Sequence, residues 1–459
     1  MIVVVSNRGP YQFHDDGGGG FTARPGAGGL ASSLRPLFES GAAGPDGAWL
    51  AAAMSDGDRA AVHADAVQVP GIRLRLLDLD PGDYRLAYDL VSNGTLWFLY
   101  HGLFDLVRRP GFDARWRDAW AGFEAVNRAF ADATADLAAD GDIVLVQDMH
   151  LALVPGMLRD KRPDLRLTHF THTSFCGPNS IRVLPRDAAR ALCGSMASVP
   201  CGFHSARWAR AFEASAREVL GADTSIAPTF VAPIGPDPAA LAALADTDAT
   251  RAAVADLEGW VGDRALLLRV DRIDPSKNVV RGFAAYDRLL EASPSWRERV
   301  VFLARMNPSR ESLAEYQAYR REVELAAERV NERWARGDWQ PVVLDTRDDY
   351  ALTVAAMTRY DALLVNPIKD GLNLVAKEGP LVNTCDGVLC LSAEAGAWDE
   401  LGDAALEVHP FDIEQTAAAL DAALATPADE RAARAARLRV LAAARTPADW
   451  FDDQLTHAG

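Results

Sequence analysis

Short apolar runs alternate with longer amphipathic segments along most of the chain. Nine runs rich in Val, Ile and Leu predict buried strands: Ile2–Ser6, Ile143–Gln147, Leu165–His172, Ala197–Phe203, Leu266–Val270, Val300–Ala304, Val342–Leu344, Ala362–Asn366 and Val388–Leu391. The segments between them are rich in Ala, Arg and Glu. The clearest helix runs from about Glu311 to Trp334, with Ser309 or Ser312 as its expected cap. Apolar strands that alternate with amphipathic helices indicate parallel βαβ units.

The alternation breaks near the middle of the chain. A strand-like run ends at Gly235, and Pro236 and Pro238 follow, with a polar stretch after them. We therefore predict an α/β protein of two doubly wound, Rossmann-like domains, residues 1–235 and 236–459. Ligands of such sheets bind beyond the carboxyl ends of the strands, so we expect the active site in a cleft between the domains.

Composition and charge narrow the class of protein. The chain has 459 residues, 49% of them hydrophobic, which is typical of globular domains with their own cores. A net charge of −17 disfavours nonspecific binding to nucleic acid or to an anionic membrane, so any phosphate needs a local basic pocket. The N-terminus lacks the features of a signal peptide, and no apolar stretch of about eighteen residues occurs. We expect a cytoplasmic protein.

The cysteines give no sign of a metal site or of a disulfide framework. The five cysteines (Cys176, Cys193, Cys201, Cys385 and Cys390) form no CxxC pair and no convincing cluster with the nine histidines. We expect free, mostly buried thiols.

A glycine-rich run near the N-terminus resembles a dinucleotide fingerprint. The letters GAGGLA at 26–31 match G-x-G-x-x-A, but a long loop separates them from the first predicted strand. A nicotinamide site is therefore disfavoured. Glycines that open a helix still leave amide groups free for a phosphate. The Gly17–Gly20 tract fits a loop that orders over a ligand and an ordinary solvent loop equally well.

Two cations follow the predicted strand at 266–270. Arg272 and Lys277 lie within one short turn, where they can grip an anion, although a solvated surface turn is the alternative. The chain has only four lysines, and three of them lie in this turn or in segment 363–381. Because Lys and Arg are not interchangeable as phosphate ligands, this placement favours a phosphate site.

Segment 363–381, LLVNPIKDGLNLVAKEGPL, joins a buried strand to a helix through Lys369, Asp370 and Gly371. We predict that the helix starts near Gly371 and that Glu378 lies about two turns into it. The glycine lets backbone approach a ligand, and the two carboxylates can accept hydrogen bonds from hydroxyls. This combination fits a sugar nucleotide.

Several motifs, taken in order, closely resemble the retaining glycosyltransferases of the trehalose-6-phosphate synthase family. They are VVVSNR, GAGGLASSL, LVQDMHLALVP, VDRIDPSKN, NPSRE, PIKDGLNLVAKE and LSAEAGAWDEL, and they span nearly the whole chain. The resemblance implies a GT-B fold in which the first domain binds the acceptor and the second binds the nucleotide sugar. It also implies that the last helix, at about 445–457, packs back on the first domain.

The resemblance implies roles for individual residues. The catalytic group is Asp148, His172, Arg272 and Lys277. The donor-binding group is Gly28, Gly29, Arg272, Lys277, Asp370, Gly371, Leu372, Asn373, Leu374, Val375 and Glu378. The acceptor phosphate group is Arg8, Tyr88, Trp97 and Arg310.

The implied reaction moves glucose from UDP- or GDP-glucose to glucose 6-phosphate and gives trehalose 6-phosphate. The family is thought to use attack by the acceptor hydroxyl on the same face, with the leaving phosphate as base. Neither a cofactor nor a metal ion is expected, since two cations can neutralise the diphosphate. The sequence does not identify the nucleotide base, and a homo-oligomer is compatible with it.

One departure from the family leaves the acceptor open. In the family, the corresponding histidine is followed by Ile/Val-Pro-Phe/Trp-Pro, whereas in this chain His172 is followed by TSFCGP. Another phosphorylated polyol or a cyclitol phosphate is therefore an alternative acceptor, as in related glycosyl and pseudo-glycosyl transferases.

Two other classes are alternatives. A noncatalytic sugar-nucleotide-binding regulator is disfavoured by the intact donor residues, including Arg272 and Lys277. A GT-B epimerase would not need an acceptor phosphate site, so Arg8 and Arg310 argue against it.

Overall fold

The structure is a computed structural model that describes residues 1–17, 20–26, 29–44 and 46–458. It divides into two compact units. The first contains residues 1–234 and the final segment from Pro447, and the second is Gly235–Thr446. The sequence placed the boundary one residue later and began the last helix at about residue 445.

The strands of the first unit are β1 (Ile2–Val5), β2 (Tyr11–Asp15), β3 (Phe21–Pro25), β4 (Ala48–Ala52), β5 (Arg73–Leu77), β6 (Ile143–Gln147), β7 (Arg166–Thr171), β8 (Cys201–Phe203) and β9 (Thr229–Val231). Seven of them form one parallel sheet in the order β5-β4-β1-β6-β7-β8-β9. The other two, β2 and β3, form an antiparallel hairpin.

The helices of the first unit are α1 (Gly29–Glu39), α2 (Asp56–His63), α3 (Pro81–Arg85), α4 (Trp97–His101), α5 (Ala114–Leu137), α6 (Val154–Lys161), α7 (Pro178–Ile181), α8 (Arg186–Ala197) and α9 (Ala206–Leu220). A π-helical segment, Leu86–Leu96, joins α3 to α4, and a 3₁₀ turn covers Met149–Leu151.

The second unit contains the strands β10 (Ala265–Arg272), β11 (Val300–Asn307), β12 (Val342–Asp345), β13 (Ala362–Val365), β14 (Val388–Ser392) and β15 (Leu406–Val408). They form a parallel sheet in the order β12-β11-β10-β13-β14-β15.

The helices of the second unit are α10 (Pro238–Ala245), α11 (Asp248–Val261), α12 (Val279–Ala292), α13 (Ala314–Trp334), α14 (Tyr350–Arg359), α15 (Val375–Val382), α16 (Trp398–Leu401), α17 (Ile413–Ala425) and α18 (Ala428–Ala442). The last helix of the chain, α19 (Pro447–His457), belongs to the first unit.

Both sheets are doubly wound, as the sequence predicted. In each, the chain starts at a central strand, β1 or β10, adds strands on one side and then crosses to the other side. The strand order reverses between β1 and β6 and between β10 and β13. A ligand binds at such a switch point, beyond the carboxyl ends of the two strands. The loops after these four strands are therefore where functional residues are expected.

The strands that flank the switch points are apolar because helices cover both faces of a parallel sheet. Val3, Val4 and Val5 of β1 are fully buried, and so are Leu266–Leu268 of β10. A continuous core in the second unit packs α12, α13 and α17 onto these strands. Rigid central strands hold the loops at their ends in place.

All nine of these predicted strands exist, and six further strands were not among them. The strand-like run expected to end at Gly235 corresponds to one of the six, β9, which ends at Val231. The largest difference is Ala197–Phe203, of which only the last three residues are a strand, because α8 extends to Ala197. The missed β4, Ala-Trp-Leu-Ala-Ala, lacks β-branched residues, and β9 and β15 have three residues each.

Two expectations about local structure were wrong. The segment after Arg8 is not a plain loop, because the β2–β3 hairpin occupies it and its Phe13 N–H donates to Asp58 at 2.8 Å. Helix α13 begins at Ala314 with Leu313 at its N-cap and no side-chain cap, so neither predicted serine caps it. Within the described part of the chain, no helix is long and apolar enough to cross a membrane.

Candidate active site

The switch point of the second unit joins the loops after β10 and β13. The N–H of Ile368 donates to the carbonyl of Ser276 at 2.8 Å, which ties the two loops together. Lys277 ends a 3₁₀ turn, and its Nζ donates to the carboxylate of Asp370. The two side chains are only 11% and 13% exposed. The structure therefore brings a cation from one loop and a carboxylate from the other to one point.

Asp370 is also held by its own loop. Asn373 Nδ2 donates to Asp370 Oδ2 at 3.1 Å, and Asn373 Oδ1 accepts from the N–H of Ala376 at 3.3 Å. Asn373 has a φ of 82°. A residue in this left-handed region cannot continue a helix, so α15 starts only at Val375. The predicted helix start near Gly371 is therefore wrong by about one turn.

A turn from a distant part of the sequence supports this loop. The N–H of Ala397 donates to the carbonyl of Leu372 at 2.9 Å, and the N–H of Gly396 donates to the carbonyl of Asp370 at 3.2 Å. A Cβ at Gly396 would clash with the carbonyl oxygen of Gly371. A glycine is thus required where the turn meets the loop, and the loop is fixed without a ligand.

The start of α15 presents unused hydrogen-bond donors. The backbone N–H groups of Asn373, Leu374 and Val375 meet no acceptor among the described residues. The first N–H groups of a helix have no partner inside it, and the helix dipole adds positive potential there. This edge of the second unit is suited to bind an anion.

Glu378 lies in the first turn of α15, not two turns into it as the sequence predicted. Burial raises the pKa of Glu378 to about 7. Its carboxyl group has no ion pair or hydrogen bond within the described residues, and Tyr350 at the start of α14 is close enough for the charge of Glu378 to act on it. Such an unpaired group is available to accept hydrogen bonds from a ligand's hydroxyls.

Two further residues that were predicted to bind the donor, Arg272 and Gly29, are exposed. Arg272 is the exposed last residue of β10, five positions before Lys277. Gly29 is the exposed first residue of α1 in the first unit. Gly28 lies outside the described residues.

Arg310 has a partner that the sequence did not suggest. Its Nη1 lies 2.6 Å from Oδ2 of Asp274 and donates to the hydroxyl of Tyr316 at 2.7 Å. Asp274 is fully buried, and its Oδ1 accepts two hydrogen bonds from Ser276 at 2.9 Å. Arg310 therefore joins the loop after β11 to the loop that carries Lys277. Its role as an acceptor phosphate ligand stays a prediction.

The switch point of the first unit carries Asp148, directly after β6. Asp148 has a φ of 69°, and its N–H donates to the carbonyl of Phe170 at 2.7 Å. Its Oδ1 accepts from the N–H of His172, which follows β7, at 3.3 Å. The structure therefore brings together two residues that the sequence assigned to catalysis.

The charges of these residues follow from their surroundings. Burial alone would raise the pKa of Asp148, but the neighbouring His150, whose Nδ1 lies 3.4 Å from the carboxylate, outweighs burial and holds that pKa well below its usual value. Burial lowers the pKa of His172, against the opposing charge of Asp148. The site therefore holds a carboxylate beside a neutral imidazole.

A stack of rings leads from this carboxylate toward Arg8. Tyr88 stacks on His150 at 5.5 Å and on Tyr84 at 5.8 Å. The hydroxyl of Tyr84 donates to Asn7 at 3.2 Å, and Tyr84 lies within electrostatic range of Arg8. The guanidinium of Arg8 has no ion pair or hydrogen bond within the described residues. An unpaired, half-buried cation beside phenol groups is suited to a phosphate.

Trp97, the fourth residue predicted to bind the acceptor phosphate, starts α4. Its ring stacks on His101 with centroids 4.1 Å apart, and it is 7% exposed.

Sequence reasoning missed several residues of this edge. His150 could have been found, because it lies two positions after Asp148 in the motif QDMH. Tyr84 and Asn7 carry no sequence signal, since only folding brings them together. In the described part of the chain, no group of three or more His, Cys, Asp and Glu side chains is placed to hold a metal ion.

Two units, each built on a doubly wound parallel sheet, are the architecture of the GT-B class of glycosyltransferases. Residues 1–458 match the family model described as glycosyltransferase family 20. The chain belongs to this family.

Several characterised proteins are similar to this chain. A trehalose-6-phosphate synthase of Mycolicibacterium vanbaalenii is 34% identical over 96% of this chain and 92% of its own length. The structure of a UDP-forming α,α-trehalose-phosphate synthase from Burkholderia xenovorans in complex with glucose-6-phosphate is 27% identical, with a TM-score of 0.86 and 100% of both chains covered. The E. coli protein bound with UDP-2-fluoro glucose is 28% identical, with a TM-score of 0.86 over 100% of this chain and 98% of its own.

Proposed function

We propose that this protein transfers glucose from a nucleoside-diphosphate-glucose to glucose 6-phosphate with retention and so makes trehalose 6-phosphate. The observation that carries the proposal is the switch point of the second unit. There Lys277, Asp370, the unused N–H groups of α15 and the unpaired Glu378 lie at one sheet edge. These groups match the diphosphate, sugar and ribose of a nucleotide sugar.

Each part of the donor has a suitable partner. Lys277 and Arg272 neutralise the diphosphate, together with the N–H groups at the start of α15. Asp370 accepts hydrogen bonds from glucose hydroxyls, and its contact with Lys277 keeps both side chains oriented before the donor binds. Glu378 accepts hydrogen bonds from the ribose. We also assign Gly371, Leu372 and Gly29 to donor binding through their backbone.

The acceptor is assigned to the first unit. Arg8 binds the phosphate of glucose 6-phosphate, and Tyr88 borders it. Asp148, which is ionised, accepts a hydrogen bond from the acceptor sugar, and its neighbour His172 contacts the sugars at the reacting end. Trp97 stays a predicted member of this group.

The chemistry needs no enzymic nucleophile. The bond between glucose C1 and the diphosphate oxygen breaks, and positive charge develops on the sugar ring. The acceptor hydroxyl attacks on the same face and gives its proton to the departing phosphate oxygen. Lys277 and Arg272 stabilise the negative charge that develops on the leaving group. We propose that these cations make a metal ion unnecessary.

UDP-glucose is the donor that we propose, because the solved relatives bind UDP-2-fluoro glucose or are UDP-forming enzymes. The five cysteines are free thiols, four of them buried, which suits a reducing compartment. We propose that the enzyme works in the cytoplasm.

Initial rates with a panel of substrates test this proposal. UDP-, GDP- and ADP-glucose are each combined with glucose 6-phosphate, glycerol 3-phosphate and a cyclitol phosphate. We expect the highest kcat/KM for UDP-glucose with glucose 6-phosphate. Turnover only with another acceptor would contradict the acceptor assignment. Donor binding without turnover of any acceptor would instead favour a sugar-nucleotide-binding regulator.

A further inference from the structure

The last helix of the chain lies directly behind His172. Trp450 and Gln454 of α19 lie one turn apart, and both are fully buried in the first unit. The ring of Trp450 packs edge-on against Phe170 and His172, with centroid distances of 5.2 and 5.4 Å. A segment remote in sequence thus forms one wall of the His172 environment.

A chain of two amides connects α19 to the imidazole. Gln147, the last residue of β6, is fully buried, and its Nε2 donates to Oε1 of Gln454 at 2.8 Å. Its Oε1 lies 3.1 Å from Nε2 of His172. The three side chains therefore form a continuous hydrogen-bonded relay, inside the first unit, that ends on a residue of the proposed active site.

The relay has a direction. A primary amide has one accepting end and one donating end. Since the NH₂ group of Gln147 is used by Gln454, its oxygen faces His172. A carbonyl oxygen can only accept, so Nε2 of His172 must carry a proton. Because the buried imidazole is neutral, Nδ1 keeps its lone pair. Nδ1 forms no hydrogen bond within the described residues.

We propose that Gln454 is a positioning residue for glucosyl transfer: through Gln147 it fixes His172 with the proton on Nε2, so that Nδ1 accepts a hydrogen bond from a substrate hydroxyl. This inference rests on the proposed function. The wrong tautomer would present an N–H in place of a lone pair to the sugar. A hydroxyl would then have to reorient, and the transition state would lose one hydrogen bond.

Only the oxygen of Gln454 serves the relay. Its Nε2 is buried and has no acceptor among the described residues. Gln454→Glu therefore keeps the accepting atom, whereas Gln454→Met keeps the length of the side chain and removes the acceptor. Asp452→Asn, an exposed position on the same helix, is the matched control.

The test combines nitrogen NMR of the histidine rings with kinetics. The chain has nine histidines, and the spectrum of His172→Asn assigns the signal of His172 in protein labelled with ¹⁵N-histidine. In the wild-type protein, we expect a neutral ring with the proton on Nε2. In Gln454→Met, we expect a mixture of tautomers and a kcat lower by roughly 2- to 10-fold, the effect of one neutral hydrogen bond. The KM for glucose 6-phosphate should stay unchanged, because Arg8 holds the phosphate.

The conservative variant and the control separate positioning from folding. Gln454→Glu should keep the Nε2–H tautomer and most of kcat, and Asp452→Asn should match the wild type. A wild-type ring with its proton on Nδ1 would overturn the proposal, and this result needs no variant to fold. An unchanged tautomer and kcat in Gln454→Met would overturn it as well. Because the NMR result does not depend on turnover, absence of activity in the wild type would contradict the proposed function and leave the relay to be judged by NMR alone.

Discussion

Replacing Arg310 with Ala should destabilise the second unit even when no substrate is bound. Arg310 is 9% exposed and its partner Asp274 is fully buried, with 2.6 Å between Nη1 and Oδ2. Removing one member of a buried ion pair leaves the other charge without compensation, which typically costs about 3–5 kcal/mol. Ser276 and Tyr316 still donate to Asp274, but both are neutral. The loss should therefore fall near that range.

Thermal unfolding measured by calorimetry tests this magnitude. For a unit of roughly 200 residues, 1 kcal/mol corresponds to a shift of about 2–4 °C in Tm, so we expect the transition of the second unit to fall by roughly 6–20 °C. The double variant Arg310→Ala/Asp274→Asn should recover part of this loss, because no charge is left buried.

The matched control is Arg320→Ala on α13. Arg320 pairs with Glu311 and Glu324 on the surface, where ion pairs contribute about 0–1 kcal/mol. If Arg310→Ala shifted Tm no more than Arg320→Ala, the buried ion pair would not have the structural role assigned to it. Arg310→Lys, which keeps the charge, is the variant in which the KM for glucose 6-phosphate tests the predicted phosphate contact.

Three further predictions concern the donor site. Lys277→Ala and Arg272→Ala should each lower kcat by about 10²–10³, whereas Lys161→Ala, an exposed lysine paired with Asp132, should not; near-normal turnover in both variants would contradict the leaving-group assignment. Burial raises the pKa of Glu378 from 4.5 to about 7 in the folded protein. Between these pH values the folded protein keeps a proton that the unfolded chain releases. The stabilisation that this proton provides is therefore lost as the pH rises from about 4.5 to 7. Glu378→Gln should remove this pH dependence and raise the KM for the donor, and an unchanged stability profile between these pH values would argue against the buried carboxyl. Activity should persist after exhaustive treatment with a chelator, and loss of activity that Mg²⁺ restores would refute the proposal that no metal is needed.

Much of the fold could be predicted because the signal was local. β6 and β13 are apolar runs bounded by polar residues, and their ends were predicted to within one residue. β4 was missed because an Ala-rich run without β-branched residues resembles a helix. The doubly wound topology could be predicted from the alternation of strands and helices, because few folds are compatible with that pattern.

The candidate site was predictable in its residue types but not in its contacts. Lys277 and Asp370 were found from the sequence because each follows a strand at a switch point. The start of α15 was misplaced because Asn373 takes a left-handed conformation that residues 394–397 support. Arg310 and its partner Asp274 are 36 positions apart, and Gln147 and Gln454 of the relay are 307 positions apart. Such pairs leave no local pattern.

The most direct test of the central claim is the stereochemistry of the product. Purified protein is incubated with UDP-glucose and glucose 6-phosphate, and proton NMR is recorded on the disaccharide phosphate before any hydrolysis. Retaining transfer predicts a product in which both anomeric centres are α, together with one UDP released for each disaccharide formed. A β-linked glucose, or release of UDP with only free glucose, would contradict the account.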